Sequence, residues 1–498
     1  MSPPVRTRVP LAVALLVLTG ACGGRAPSEG AGRGVLVIAI DGLRQDHVSA
    51  YGYDRPTTPA LDALAGEGVL FRQAFTSAPQ LLPAHAALMT SCEPPIARRF
   101  LPDEFEGLSE RRWRIPDGVP HLAVELLASG YATAAFLDDP LLAPVHGFGP
   151  GFQRYELLEE ESAEDWEGAQ PERVADHFLQ WLRALDAGQP WFAYLHLHEL
   201  ERFWGDTKQP LSDYFAPRPE LDEVPPVGNT DSVLFAVPRS RWRGSAHTLG
   251  QYEAGYDGEL HELDGVLERV FASLRRLGRD EGTTIHVVGT YGQQFGEAGL
   301  YLRGGRYSMA DLHVPWILRP RAGLAGARGA GLDALVSLLD FAPTVLELEG
   351  LRPPPGMQGV SHASLLTDPE HERGRRTYAF ASCGLQEGCA VIGTRYCLEY
   401  LLPAGTSDAQ VRRSWFGAWV DFAVAPAPRF YDRLETPFPP LAGSAPPAPE
   451  FQPFRAAAAE WMRDMNDARI YLQSPPGRTP LDAATLDRLR GKGYVGTQ

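Results

Sequence analysis

Continuous apolar runs alternate with helix-like stretches along most of the chain. Residues 35–42, VLVIAIDG, form a β-branched run that ends in Asp and Gly. Such a run is typical of a parallel strand buried on both faces of a sheet. A helix followed by a strand then recurs at residues 57–71, 121–137, 174–197 and 263–290. This order predicts an α/β domain with a large, mostly parallel sheet sandwiched by helices.

The pattern changes near residue 376, where the apolar segments become shorter. RTYAFASC at 376–383 and CAVIGTRYCLEYLL at 389–402 predict antiparallel strands, with a turn near Gly393. Two helical runs follow towards the C-terminus, so we expect a smaller antiparallel α+β subdomain here. The predicted units are an α/β domain at 34–375, a long surface insertion within it at 205–250, and the C-terminal subdomain at 376–498.

The N-terminus has the pattern of an export signal. Two arginines precede an apolar stretch, Leu11–Leu18, that is too short to span a bilayer. The residues up to Cys22 resemble a bacterial lipobox, in which the chain is cut before the cysteine and the cysteine is acylated. We therefore expect a signal peptide at 1–21, lipid attachment at Cys22 and a short tether at 22–33. The alternative is an ordinary signal peptide that happens to contain a cysteine.

This N-terminus predicts where the protein is found. We expect an exported, membrane-anchored lipoprotein at the periplasmic or extracytoplasmic face of a bacterial cell envelope, held to the membrane by the lipid anchor alone. The chain has 46 basic and 62 acidic residues, a net charge of −16, and no long run of Lys and Arg. That balance argues against nucleic-acid binding.

Four further cysteines leave the redox state open. They are Cys92, Cys383, Cys389 and Cys397. Export permits disulfides, and four cysteines allow three full pairings that the sequence does not rank. Cys383 and Cys389 are close enough in sequence to form a local bridge.

Several separated segments resemble, in order, the sulfatase family of the alkaline phosphatase-like superfamily. They include VLVIAIDGLRQDHVSAYGYDRPTTPALDALAGEGVLF, SAPQLLPAHAALMT, PWFAYLHLHEL, GQQFGEAGLY and LLDFAPTVLELEGLRPPPGMQG. The resemblance implies the family fold and hydrolysis of sulfate or phosphate esters. In that chemistry a Cys or Ser in a C/S-x-P-S-R turn, oxidised to formylglycine, attacks the ester, and a divalent cation polarises the anion.

Matched to that turn, LLPAHAALMT is degenerate. It places Leu81 at the position of the nucleophile and keeps Pro83, with Ala84 and His85 where Ser and Arg are common. A leucine side chain can neither attack an ester nor be oxidised to an aldehyde by the usual maturation. His85 could act alone as a general acid or base. We favour a hydrogen bond from His85 that steadies the turn.

The metal and basic positions implied by the resemblance are mostly replaced. Asp41 matches the first metal carboxylate, whereas Thr290 and Tyr291 stand where the family has an aspartate and a histidine. Glu201 stands where a histidine would face the anion, and its carboxylate would repel that anion. A single carboxylate is a poor site for a hard divalent cation. We expect no cofactor, and one divalent cation, calcium or magnesium, if the protein is active.

The sequence therefore favours a catalytically inactive pseudoenzyme that binds an unknown glycan or envelope protein. The alternative is a divergent metal-dependent hydrolase of sulfate or phosphate esters, with water as the nucleophile. In that case His196 and His198, which alternate on a strand, could bind zinc with Glu199 or Glu201. A purely structural scaffold is a third possibility.

The surroundings of Asp41 discriminate between these hypotheses. An enzyme requires at least three carboxylate, imidazole or amide ligands that converge there. Leu81 and Tyr291 packed over Asp41 would favour a filled, inactive pocket.

Overall fold

The computed structural model describes most of the chain outside its N-terminus and several loops. The described residues are 32–97, 99–100, 113–158, 171–202, 213–228, 236–239, 242, 248–299, 301–302, 307–324, 328–368, 376–382, 388–401, 429–435, 448–473 and 481–492. The predicted signal peptide and Cys22 lie outside these ranges, as does much of the predicted insertion. Within the described part of the chain, no helix combines the length and the apolar character needed to cross a membrane.

The described elements alternate along the chain. The strands are β1 (Gly34–Asp41), β2 (Val69–Phe75), β3 (Arg99–Phe100), β4 (Trp113–Arg114), β5 (Ala132–Leu137), β6 (Arg154–Leu157), β7 (Trp191–Leu197), β8 (Val227–Gly228), β9 (Val237–Pro238), β10 (Thr283–Tyr291), β11 (Gln294–Phe295), β12 (Tyr301–Leu302), β13 (Trp316–Arg319), β14 (Ala330–Ser337), β15 (Ala379–Ser382), β16 (Gly388–Ile392), β17 (Tyr396–Leu401) and β18 (Arg429–Asp432). The α-helices are α1 (Pro59–Glu67), α2 (Leu81–Thr90), α3 (Leu122–Ala128), α4 (Pro171–Ala184), α5 (Glu199–Arg202), α6 (Leu249–Arg276), α7 (Met309–Leu312), α8 (Phe341–Leu348), α9 (Ala448–Gln473) and α10 (Ala483–Gly491).

Eight of the strands form the main sheet, in the order β14-β2-β13-β10-β1-β7-β5-β6. The central strand β1 pairs in parallel with β10 on one side and with β7 on the other. Only β13 runs against its neighbours β10 and β2. The carboxyl ends of β1, β5, β7 and β10 therefore lie along the same edge of the sheet, where α/β proteins place their sites.

Helices cover both faces of this sheet, because alternate residues of β1 enter two different cores. Val35, Val37 and Ala39 lie in one buried cluster with residues of α2, α3 and α8. The intervening residues of β1 lie in a second cluster with residues of α1, α4 and α6. Side chains on a strand alternate between its faces, so a strand that is apolar throughout must be buried on both. The predicted α/β architecture is confirmed.

The predicted antiparallel subdomain is also confirmed. Strands β15 to β18 form a four-stranded sheet in sequence order, in which each pair is antiparallel. Helix α9 contributes Phe454, Ala458 and Trp461 to the core that this sheet shares with α10. A buried Glu399 accepts hydrogen bonds from the side chains of Arg429 and Tyr431 and ties β17 to β18.

Three cysteines in the described ranges are buried free thiols: Cys92, Cys389 and Cys397. Burial raises the pKa of both Cys92 and Cys389 to about 12, so these thiols are protonated at neutral pH. Because the Cys389 thiol is free, the structure does not contain the local bridge that its spacing from Cys383 allowed. Cys383 itself lies outside the described residues.

Candidate active site at the carboxyl edge of the sheet

The site is centred on Asp41, the last residue of β1. Its neighbour Gly42 has φ +70°, a left-handed conformation that glycine adopts without strain and that turns the chain sharply away from the sheet. The pairing of β1 with β10 also shifts here, because Ile40 is opposite Gly289 whereas Asp41 is opposite Tyr291. Thr290 is therefore a bulge residue, and bulges redirect side chains next to sites.

Three histidines and one hydroxyl group surround the Asp41 carboxylate. His85 Nε2 lies 2.9 Å from Oδ1, and His196 Nε2 lies 2.8 Å from Oδ2. His198 Nδ1 lies 3.0 Å from Oδ2, and the Thr290 hydroxyl donates a hydrogen bond to Oδ1. These residues come from α2, from β7 and the position just after it, and from β10. The fold thus gathers side chains that are far apart in sequence.

Each histidine also has an oxygen next to its other ring nitrogen. His85 Nδ1 lies 2.5 Å from the Tyr194 hydroxyl oxygen. His196 Nδ1 lies 3.0 Å from Asp138 Oδ1, and His198 Nε2 lies 3.4 Å from Asp139 Oδ2. Both carboxylates directly follow β5. A hydrogen bond at the far nitrogen fixes the orientation of an imidazole, and the contact of His85 with Tyr194 is such a bond.

Burial and neighbouring charges set the protonation of this cluster. Burial alone would raise the pKa of Asp41, but His196 and His85 hold it well below its usual range, so Asp41 is ionised. Burial opposes the charged form of His196, but Asp41 and Asp138 raise its pKa well above its usual value. For His85, burial outweighs the attraction of Asp41, and the pKa is lowered. At neutral pH the centre is therefore an ion pair of Asp41 and His196, beside a neutral His85.

The cluster is closed to solvent except at one edge. Asp41, His85 and His196 have no exposed side-chain surface, whereas the side chains of His198 and Asp139 are 12% and 10% exposed. Access to the centre therefore runs past His198 and Asp139.

The other predicted site positions are Leu81, Tyr291 and Glu201. Leu81 is the first residue of α2 and is 3% exposed. Leu81 and Tyr291 both belong to the apolar cluster on the α2 face of the sheet. Glu201 lies in α5, but its side chain lies outside what the structure describes. A buried leucine offers no lone pair or proton for chemistry.

Sequence reasoning missed how these groups converge. The alternation of His196 and His198 was recognised, but with Glu199 or Glu201 as partners. The structure instead brings His196 together with Asp41 and His85, whose donor atoms lie within 4.8 Å of one another. Asp138 was not anticipated, although two consecutive aspartates directly after a buried strand are a usable indication of a site.

Among the described residues, a second group could also hold a metal ion: His47, Glu253 and Asp257. The carboxylates of this second group are already paired with arginine side chains. Arg55 Nη1 lies 2.7 Å from Asp257 Oδ2, and Arg218 Nε lies 3.3 Å from Glu253 Oε2. Because two guanidinium groups neutralise its carboxylates, we regard the second group as an ion-pair network.

Comparisons with known proteins agree with this architecture. The family model described as "Sulfatase" matches residues 33–351. A "Sulfatase" of Formosa agariphila is 25% identical over 439 residues, which cover 78% of this chain and 82% of that protein. An "Arylsulfatase" of Clostridium perfringens is 22% identical over 67% of this chain and 78% of its own length.

Solved structures give the same fold. The phosphonate monoester hydrolase of Agrobacterium radiobacter superposes with a TM-score of 0.64 at 19% identity, covering 88% of this chain and 96% of that chain. A 2-O GAG sulfatase superposes with a TM-score of 0.63 at 16% identity, covering 91% of this chain and 96% of that one.

Proposed function

Because the chain belongs to the sulfatase family, whose similar members include hydrolases, we propose that it is a catalytically inactive member, a pseudoenzyme that does not cleave sulfate esters. The observation that carries this proposal is the burial of Leu81, which the family resemblance aligns with the nucleophile. Loss of a catalytic nucleophile alone costs a factor of roughly 10⁶ in rate in a well-studied hydrolase. No neighbouring hydroxyl or thiol stands in for it in the described part of α2 before Thr90.

The carboxylate of Asp41 also differs from a family-type metal ligand in its contacts. A family-type site needs a divalent cation held by several oxygens, to polarise the ester. Asp41 instead accepts hydrogen bonds from Thr290 and from imidazoles. Calcium and magnesium do not fit this set of donors, because it consists mainly of nitrogen. We therefore derive no catalytic step through either cation.

We further propose that the protein acts by binding, as an exported lipoprotein anchored through Cys22 at the cell envelope. The lipobox-like residues before Cys22 support the anchor. A glycan is the ligand class that we favour over an envelope protein, because one relative of the same fold is described as a GAG sulfatase. Inactive family members that keep the fold could keep a surface for the sugar while losing the chemistry.

A second candidate function rests on one observation. Asp41, His85 and His196 place a carboxylate and two imidazoles around a common point. Three converging ligands meet the minimum for a divergent metal-dependent hydrolase of sulfate or phosphate esters that uses water as the nucleophile.

The test compares ester hydrolysis by the purified full-length protein and two variants. 4-Nitrophenyl sulfate and 4-nitrophenyl phosphate are assayed with added calcium, magnesium, manganese or zinc. Asp41→Asn removes the central carboxylate, and Asp333→Asn is the matched control, since the Asp333 side chain is 71% exposed. We expect all three proteins to give the background rate. Turnover that Asp333→Asn keeps and Asp41→Asn loses would overturn the pseudoenzyme proposal and support the divergent hydrolase.

A further inference from the structure

We propose that Asp41, His85 and His196, joined by His198 from the partly exposed edge, bind one divalent transition-metal ion of the zinc class. The site would use one carboxylate and up to three imidazoles, which is a ligand set that such ions prefer. This inference goes beyond the proposed function, since a bound ion needs no ester substrate.

The donor atoms of Asp41, His85 and His196 lie within 4.8 Å of one another, and His198 is not part of that group. With bonds of about 2.0–2.1 Å, neighbouring donors of a tetrahedral zinc site lie roughly 3.3 Å apart. The Asp41 oxygens lie 2.9 Å from His85 Nε2, 2.8 Å from His196 Nε2 and 3.0 Å from His198 Nδ1. The ion would therefore draw the Asp41, His85 and His196 donors towards that spacing, and His198 would join them through a larger movement of its side chain.

The surroundings of the donors also fit a metal site. Ligating histidines almost always donate their other ring N–H to a carboxylate, a carbonyl or water. Here Asp138 and Asp139 lie beyond His196 and His198, at 3.0 Å and 3.4 Å. The other nitrogen of His85 is hydrogen-bonded to the Tyr194 hydroxyl, and the Thr290 hydroxyl donates to Asp41.

Charge distinguishes this site from the other His and carboxylate group. The group of His47, Glu253 and Asp257 is neutralised by Arg55 and Arg218. Around Asp41, by contrast, the ion-pair contacts that the described residues make with the Asp41, Asp138 and Asp139 carboxylates come from the imidazoles of His85, His196 and His198. An imidazole can release its proton and bind a cation, whereas a guanidinium cannot. The partly exposed edge at His198 gives the ion a route from solvent.

The experiment measures metal binding by the full-length protein without a polyhistidine tag. After chelator treatment, zinc binding is followed by calorimetry, and cobalt is used as a coloured probe whose visible absorption reports tetrahedral coordination. We expect one equivalent per chain. His85→Gln and His198→Gln should each weaken zinc binding at least tenfold, and Asp138→Asn should weaken it 10–100-fold, as loss of an orienting partner does. His47→Gln is the matched control and should bind as the wild type does.

Circular dichroism checks that each variant is folded, and His198→Gln keeps the test valid if His85→Gln is not, because His198 lies at the partly exposed edge. Absence of one-to-one binding, or binding that neither His85→Gln nor His198→Gln weakens, would overturn the metal site. Ester hydrolysis is measured in the same samples. Metal without turnover supports both proposals, turnover with metal overturns only the pseudoenzyme, and neither metal nor turnover overturns only the metal site.

Discussion

Thr290 donates its hydroxyl hydrogen to the carboxylate of Asp41 from the bulge of β10. The family resemblance puts an aspartate metal ligand at this position. A second carboxylate there would repel Asp41 unless a cation lay between them, whereas a hydroxyl stabilises the single charge. The threonine thus stabilises the Asp41 carboxylate through a hydrogen bond.

Replacing Thr290 with valine tests the strength of this hydrogen bond. Valine keeps the shape but removes the donor, and a hydrogen bond to a charged group contributes about 1.5–3 kcal/mol. We expect the free energy of unfolding, measured in urea, to fall by that amount. Thr367→Val is the control, because Thr367 is exposed. Equal stability of Thr290→Val and the wild type would show that the bond contributes nothing.

The family resemblance aligns Leu81 with the nucleophile, and in the structure its side chain is part of the apolar core. The Leu81→Ser variant supplies a hydroxyl at that position and removes a buried apolar side chain. Substitutions of buried leucine that create a cavity cost about 2–5 kcal/mol. We expect loss of stability in that range, with no gain in hydrolysis of 4-nitrophenyl sulfate. Leu81→Met, which keeps the volume, should cost less than about 1.5 kcal/mol. A Leu81→Ser protein with turnover would contradict our interpretation.

Tyr256 of α6 holds the backbone just after Asp41. Its hydroxyl donates to the Gly42 carbonyl, 2.9 Å away, and accepts from the Arg44 N–H, 3.1 Å away. Tyr256→Phe removes one hydrogen bond from each group, although Gln293 still donates to the Gly42 carbonyl, and a typical hydrogen bond contributes about 0.5–1.5 kcal/mol. We expect a matching fall in the free energy of unfolding. Tyr214→Phe is the control, since Tyr214 is 58% exposed and should change stability little.

The sequence was sufficient for the fold but only partly for the site. β1 was predictable because a continuous apolar run indicates a strand that is buried on both faces. The cluster at Asp41 was not, because it depends on strand order. β7 and β10 flank β1 although they lie about 155 and 250 residues further along the chain, and hydrophobic periodicity carries no record of which strands become neighbours. Thr290 was identified as a replacement, but not as a donor to Asp41, because the bulge that directs it appears only when the strands pair.

A buried acid at the junction with the C-terminal subdomain gives a prediction about pH. Burial raises the pKa of Glu93 to about 7, although Trp461 and Arg376 lie close enough to favour the charged form. Glu93 is therefore largely protonated in the folded protein below this pH, whereas in the unfolded chain it ionises at its ordinary, lower pKa. Between these two values the unfolded state binds fewer protons than the folded state, so the stability contributed by Glu93 falls as the pH rises.

Glu93→Gln removes this titration and keeps the shape of the neutral acid. Relative to the wild type, the glutamine variant should gain roughly 2 kcal/mol in free energy of unfolding between pH 5 and pH 8, the amount that a pKa raised to about 7 implies. Urea unfolding of both proteins across that range measures the difference, and Glu67→Gln, at a site with a 55% exposed side chain, controls for general charge effects. Parallel pH curves for wild type and Glu93→Gln would mean that Glu93 is already ionised in the folded protein at pH 5, stabilised by Arg376 more strongly than burial opposes it.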